Sequence, residues 1–211
     1  MIEAVFFDAA GTLFETKRSV GAIYSDALAT YGIRSSPDEL ERRFKERFPL
    51  QPPLAFDSGL DDSRRLELEM DWWRALVAQV VAPKGAFPGF DQFFTSLFDY
   101  FRGDLAWKVF DDTRPALDML QTSGVKLGVI SNFDSRLQSI LDSLYLTDYF
   151  ATIQISSRTG YAKPDPRSFI AAAEALGIDP AHCLHVGDRR REDFDGALAA
   201  GMRAVWLRRL Q

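Results

Sequence analysis

The chain has 211 residues, 46% of them hydrophobic and 26% charged, with a formal net charge of -5 and one cysteine, Cys183. That composition belongs to an ordinary globular protein, long enough for one generous domain or a core with an insertion. It excludes an intramolecular disulfide, and its acidic balance excludes nucleic acid and anionic lipid as default partners.

The opening Met1-Ile2-Glu3 carries no basic region or secretory cleavage pattern, and no apolar run has the length of a membrane span. The expectation is a cytoplasmic protein. Ala4-Val5-Phe6-Phe7 is too short for a helix and reads as a strand buried on both faces, ending at Asp8. Residues 16–104 then read as helical, over Val20 to Tyr31, Pro37 to Phe48, Asp61 to Val81 and Phe90 to Phe101. Pro49, Pro52-Pro53, Pro83 and Pro88 punctuate them. Beyond this block the pattern alternates. A helix over Thr113 to Thr122 leads to a strand over Val125 to Ile130, and Asp134 is a candidate N-cap for a helix to about Leu144. Ala151 to Ile155, Cys183 to Val186 and Ala204 to Leu207 are further strands. Helices begin at Pro166 and Glu192 and end at Gly177 and Gly201. Alternating strands and helices imply a parallel α/β sheet. The helical block is an insertion after its first strand.

Polar clusters follow the strands: Asp8-Ala9-Ala10-Gly11-Thr12, Ser131-Asn132, Lys163-Pro164, and Gly187-Asp188 with Asp193. Ligands of open α/β sheets bind outside the carboxyl ends of the strands, so all four clusters should face one crevice. One lysine, a hydroxyl and three carboxylates suit an anionic substrate bridged to a divalent cation. These motifs, in this order and spacing, resemble those of the haloacid dehalogenase (HAD) superfamily. Val129-Ile130-Ser131-Asn132-Phe133-Asp134 and Lys163-Pro164-Asp165-Pro166-Arg167-Ser168-Phe169 are most similar to the HAD-like domain-containing protein 3 group. The resemblance implies a Rossmann-like three-layer α/β/α parallel core over residues 1–15 and 105–211. A helical cap of the C1 type would cover residues 16–104 and move relative to the core.

It also implies a Mg²⁺-dependent hydrolase, acting on a small phosphorylated metabolite. Asp8 would be the nucleophile that forms an aspartyl-phosphate. Asp188, Asp8 and the backbone carbonyl of Ala10 would ligate Mg²⁺. Asp193 would hold a metal-bound water or orient Lys163, and Lys163 would neutralise phosphoryl charge. Ser131 and the Asn132 amide would bind phosphate oxygens, and Thr12 would brace the first loop. His182 and His185 lack metal-site spacing and read as structural, and Trp72 and Trp73 as packing. Arg189-Arg190-Arg191 reads as a solvated face or an anion attractor.

One departure is chemical. HAD phosphatases usually carry a second aspartate where this chain has Ala10. Losing that acid-base group would cost ~10²–10⁴-fold, unless the leaving group is good or another side chain, such as Glu15 or Tyr24, supplies the proton. Haloacid dehalogenases resemble the first motif but lack the acidic Gly-Asp pair. Phosphonoacetaldehyde hydrolases have alanine there but need a cap lysine, for which Lys45 is the candidate. A non-catalytic ligand- or protein-binding homologue is the remaining alternative.

Overall fold

The computed structural model describes residues 1–82 and 87–209. Pro83, read above as helix punctuation, lies outside the described residues. β1 (Ala4–Phe7) is buried along its whole length. It lies at the centre of a five-stranded parallel sheet with β4 (Lys126–Ser131), β5 (Thr152–Ile155), β6 (Cys183–Gly187) and β7 (Arg203–Trp206), in the order β5-β4-β1-β6-β7.

The alternation along β1 builds two cores, as a period of two requires. Val5 and Phe7 share one cluster with Leu117 of α5 (Thr113–Thr122) and with Leu137, Ile140 and Leu141 of α6 (Arg136–Ser143). Ala4 and Phe6 share the other with Phe169, Ala172 and Ala173 of α8 (Pro166–Leu176) and Ala197 of α9 (Gly196–Ala199). The result is the expected three-layer α/β/α sandwich. A single turn, α7 (Ser156–Thr159), follows β5.

The insertion is helical, as read: α1 (Val20–Ala29), α2 (Pro37–Arg47), α3 (Asp62–Val81) and α4 (Phe90–Tyr100). These helices bury a cluster of their own, including Leu28, Leu40, Leu76, Phe93 and Phe94. Two short strands were not anticipated. β2 (Phe14–Thr16) and β3 (Trp107–Val109) pair antiparallel where the chain enters and leaves the helical block, with Glu15 opposite Lys108. Three-residue strands hold too little periodicity to be read from sequence.

The expected helix at Glu192 is also different. Residues Arg190–Asp195 form a π-helix, and regular α-helix covers only Gly196–Ala199. The Asp193 carboxylate oxygen Oδ2 accepts from the Arg189 backbone N–H at 2.9 Å inside that wide turn. π-turns of this kind are frequent at functional sites. Among the described residues no helix is long and apolar enough to cross a membrane.

One stripe of α3 is polar and yet buried. Arg65, Glu69 and Trp73 are spaced four apart and so lie on one helix face. Arg65 donates to the Ser157 carbonyl at 2.5 Å and the Leu60 carbonyl at 2.8 Å. Glu69 Oε1 accepts from the Ser135 N–H, the Ser135 hydroxyl and the Ser157 hydroxyl, at 3.0, 2.8 and 2.6 Å. The Trp73 indole donates to Asp134 Oδ2 at 2.7 Å. Asp134 was expected to cap a helix. The Arg136 backbone N–H, at the start of α6, donates to Asp134 Oδ1 at 2.9 Å, so the carboxylate does cap that turn; fully buried, it also holds the Arg136 guanidinium in a two-pronged pair at 2.8 Å.

Burial alone would raise the Asp134 carboxyl, but the Arg136 charge outweighs it and holds it below the ordinary 3.8. A depressed carboxyl contributes stability that is present above the unfolded value and lost as pH falls through the folded one. Asp134→Asn should therefore cost about 3–5 kcal/mol at neutral pH, by leaving Arg136 buried and unpaired. The deficit should shrink as pH drops below 3.8, which urea midpoints measured across pH would show.

Candidate active site

Parallel register sets the site. Phe7 is paired with Val129 on one side and Val186 on the other, so the residues just beyond all three converge at the same sheet edge. Asp8, Ser131, Lys163, Asp188 and Asp193 meet there, as the sequence reading required. Two glycines make the approach close enough. A Cβ on Gly11, whose φ is +94°, would lie 2.6 Å from Asp188 Oδ2, and one on Gly187 would lie 2.2 Å from the Asp193 carboxyl carbon. Only glycine admits both the left-handed turn and the contact at position 11.

Lys163 is the hub. Its ammonium is almost fully buried and donates to Asp8 Oδ1 at 2.6 Å, Asp193 Oδ1 at 2.6 Å and the Ile130 carbonyl at 2.7 Å. These use all three protons of an ammonium. Toward a bound anion Lys163 therefore offers charge at short range rather than a free N–H. Asn132 fixes the lysine's backbone from both sides: its amide nitrogen donates to the Lys163 carbonyl at 2.8 Å, and its oxygen accepts from the Lys163 N–H at 2.7 Å. This clamp was not foreseen, because it depends on a loop 31 residues away.

Ser131 donates to Asp8 Oδ1 at 3.3 Å. Asp8 Oδ2 accepts no hydrogen bond among the described residues, and the side chain keeps 11% exposure. One oxygen is thus held and the other is open to the crevice. Thr12 is buried and reaches Asp188 Oδ1 at 3.4 Å, while its carbonyl accepts from Arg209 at 2.5 Å.

His185 is one of the two histidines expected to be structural. It is completely buried beneath Asp193, with Nε2 at 3.0 Å from Asp193 Oδ1. His182 is half exposed and meets only Glu3. Asp193 therefore has both oxygens engaged, by Lys163, His185 and the Arg189 N–H. The arrangement suits the orientation of Lys163 rather than direct ligation.

Burial pushes the Asp8 carboxyl up, and the charges of Asp193 and Asp188 add to that against the opposing Lys163. Asp188 is raised by burial and by Asp193. Burial would raise Asp193 too, but Lys163 and His185 outweigh it and hold it well below the carboxylate range. Burial would lower Lys163, yet the two carboxylates overcome it. His185 is pushed down by burial, so its imidazole is neutral. Three carboxylates against one ammonium leave two negative charges. Oxygens of Asp8, Asp188 and Asp193 lie within 4.8 Å of one another. A hard divalent cation matches both the donor type and the charge.

Beside Ala10 opens a cavity of about 210 Å³, walled by the helical block and reaching Arg189. Trp73 and Tyr24 line it. Glu15 does not line it: it faces outward and pairs with Lys108 at 2.9 Å. Lys45 is exposed, pairs with Glu41 at 3.2 Å and does not line this cavity. The Arg189-Arg190-Arg191 run divides: Arg189 lines the cavity, while Arg190 lies over the Phe194 and Trp206 rings at 5.8 and 5.5 Å.

Removing the hub cation should be costly in a specific way. Lys163→Met leaves Asp8 and Asp193 facing each other unneutralised, and should destabilise the fold by about 3–5 kcal/mol. The double variant Lys163→Met/Asp193→Asn should recover part of that loss, which a double-mutant cycle on chemical denaturation would measure.

The model of haloacid dehalogenase-like hydrolases matches residues 2–201. Haloacid dehalogenase-like hydrolase domain-containing protein 3 of Danio rerio is 32% identical over 211 residues, covering 97% of this chain and 84% of that one. Glyceraldehyde 3-phosphate phosphatase of Methanopyrus kandleri is 30% identical over 218 residues, covering 99% and 85%. The crystal structure of 2-haloacid dehalogenase from Pseudomonas syringae pv. Tomato superposes with a TM-score of 0.65 at 26% identity, covering 98% and 86%. The chain belongs to the haloacid dehalogenase-like hydrolases.

Proposed function

We propose that the protein is a Mg²⁺-dependent phosphatase acting on a small organic phosphate, with Asp8 as nucleophile. The observation that carries this reading is the asymmetry at Asp8: Oδ1 is tied to Lys163 and Ser131, and Oδ2 accepts no hydrogen bond among the described residues. In this reading residues 1–15 and 105–211 are the catalytic core, and residues 16–104 are a cap that selects the substrate and excludes water.

Asp8, Asp188 and the Ala10 backbone carbonyl would hold the Mg²⁺ ion, which when bound offsets repulsion between Asp8 and the phosphoryl oxygens. Asp193 fixes Lys163, and Lys163 balances charge as it spreads over the phosphoryl group. Ser131 and the backbone amide of Asn132 would donate to phosphate oxygens. Asp8 Oδ2 bonds to phosphorus while the bond from phosphorus to the organic oxygen breaks, its electron pair leaving on that oxygen. Water then attacks phosphorus and breaks the bond to Asp8. Inorganic phosphate is released, and a proton goes to solvent. Splitting hydrolysis in this way replaces one difficult displacement by two easier ones.

Ala10 cannot protonate the departing oxygen. Of the two side chains considered for that proton, Tyr24 lines the cavity beside Ala10 and Glu15 does not. Burial raises the Tyr24 phenol above its ordinary value, so it stays protonated at neutral pH. It can donate a hydrogen bond but is a weak acid. Activated phosphates, whose leaving group needs no proton, should be the better substrates.

Ala10 also favours a second reading, hydrolysis of a carbon–halogen bond by Asp8, which needs no acid at position 10. Cation dependence separates the two. Phosphate release from para-nitrophenyl phosphate should stop in EDTA and return with Mg²⁺. Halide release from a 2-haloacid, undiminished in EDTA, would displace the phosphatase reading. Asp8→Asn should abolish phosphate release while leaving the circular dichroism spectrum and thermal midpoint close to those of the parent. Undiminished turnover by that variant would sink the nucleophile assignment. Asp188→Asn should remove the thermal stabilisation by Mg²⁺.

A further inference from the structure

The cavity beside Ala10 is unusual for a site that would bind a sugar phosphate. Nine of the sixteen residues lining it are aromatic, among them Tyr24, Phe44, Phe48, Phe98 and Phe101. Aspartate, glutamate, asparagine and glutamine are absent from that lining. A polyhydroxylated group placed there would lose its water hydrogen bonds and regain few, a cost of roughly 1–3 kcal/mol for each unpaired hydroxyl.

The two charged lining residues differ. Arg136 is spent on Asp134 and the Phe98 carbonyl, and its guanidinium lies 3.7 Å from the Phe98 ring centre. Arg189 is exposed, and its guanidinium makes no hydrogen bond among the described residues, so it is open to an anion at the mouth. Tyr24 is 2% exposed, and its hydroxyl has no hydrogen-bond partner among the described residues. The volume, about 210 Å³, compares with the ~150 Å³ of an engineered apolar cavity that takes up benzene.

We infer that the organic part of the substrate is a single apolar ring or a comparable acyl group, seated in this cavity, with its phosphate over Asp8. The bridging oxygen would then pass Ala10, where no acid is available. An aryl or acyl phosphate fits both conditions: its body is apolar, and its oxygen departs with the electron pair and no added proton. The chemical step rests on the phosphatase reading. The apolar seat does not depend on turnover.

The test uses matched pairs. Benzoyl phosphate and acetyl phosphate both leave as carboxylates, so they differ chiefly in the ring. Phenylphosphonate and methylphosphonate keep the same contrast but cannot be hydrolysed. With Mg²⁺, kcat/KM for benzoyl phosphate should exceed that for acetyl phosphate by at least about tenfold. Phenylphosphonate should bind at least about tenfold more tightly than methylphosphonate, read by thermal shift on the full chain. Phe48→Glu, at a half-buried wall position, should shrink both ratios. A ratio near one in the wild-type protein, in either measurement, overturns the inference and leaves the phosphatase reading standing. Preferential binding of phenylphosphonate without phosphate release from either acyl phosphate overturns the phosphatase reading and upholds the apolar seat.

Discussion

The buried ammonium of Lys163 is the constraint on which the site depends. A lysine 3% exposed at its side chain would lose its proton or unfold its surroundings if it stood alone. It stays charged because Asp8 and Asp193 each approach to 2.6 Å. The reverse also holds: neither carboxylate could be buried so close to the other without the cation between them. Asp8 follows β1, Asp193 follows β6, and Lys163, from the loop after α7, also donates to the Ile130 carbonyl of β4, so the ion cluster ties β1, β4 and β6 together at the edge where they open. His185 supplies the last support. Buried and neutral, it occupies Asp193 from below, and a π-turn brings the Arg189 N–H to the other Asp193 oxygen.

The same logic governs the seam between the helical insertion and the sheet. Two chain crossings join the helical block to the sheet. Here the crossings are paired as a β-ribbon, and α3 sends Arg65, Glu69 and Trp73 into hydrogen bonds with loops that follow β4 and β5. Burial raises the Glu69 carboxyl, and its second oxygen has no partner among the described residues, so this contact costs more than an apolar one would. Directional groups in place of apolar ones fix how α3 sits over the sheet. The aromatic cavity is bounded by that placement: Trp73 and Arg136 belong at once to the seam and to its wall.

Much of this was legible in the sequence. The five strands follow from short apolar runs that end in polar clusters, and Thr113–Thr122 was read to the residue because Pro115 and Gly124 bracket it. Asp8, Ser131, Lys163, Asp188 and Asp193 could be placed together because parallel strands must present their carboxyl ends on one edge. Errors fell where local pattern is weak or overridden. The β2–β3 ribbon is too short to show a period. The helix expected from Glu192 opens as a π-turn, because Asp193 is held by partners distant in sequence. His185 reads from sequence as structural, but that it supports Asp193 could not be seen, because nothing local marks the two as neighbours.

The sequence by itself determined the order of strands and helices, the insertion after the first strand, the clustering of charged residues at one sheet edge, and the absence of an acid at Ala10. These are properties of local pattern and residue chemistry. Only the tertiary structure decided how the charges are shared. It left one Asp8 oxygen open and saturated Lys163. It also turned Tyr24 and Trp73 into one cavity wall and left Glu15 and Lys45 outside it. Such choices depend on distances between residues tens to hundreds of positions apart, where burial and pairing, rather than local propensity, set the energy.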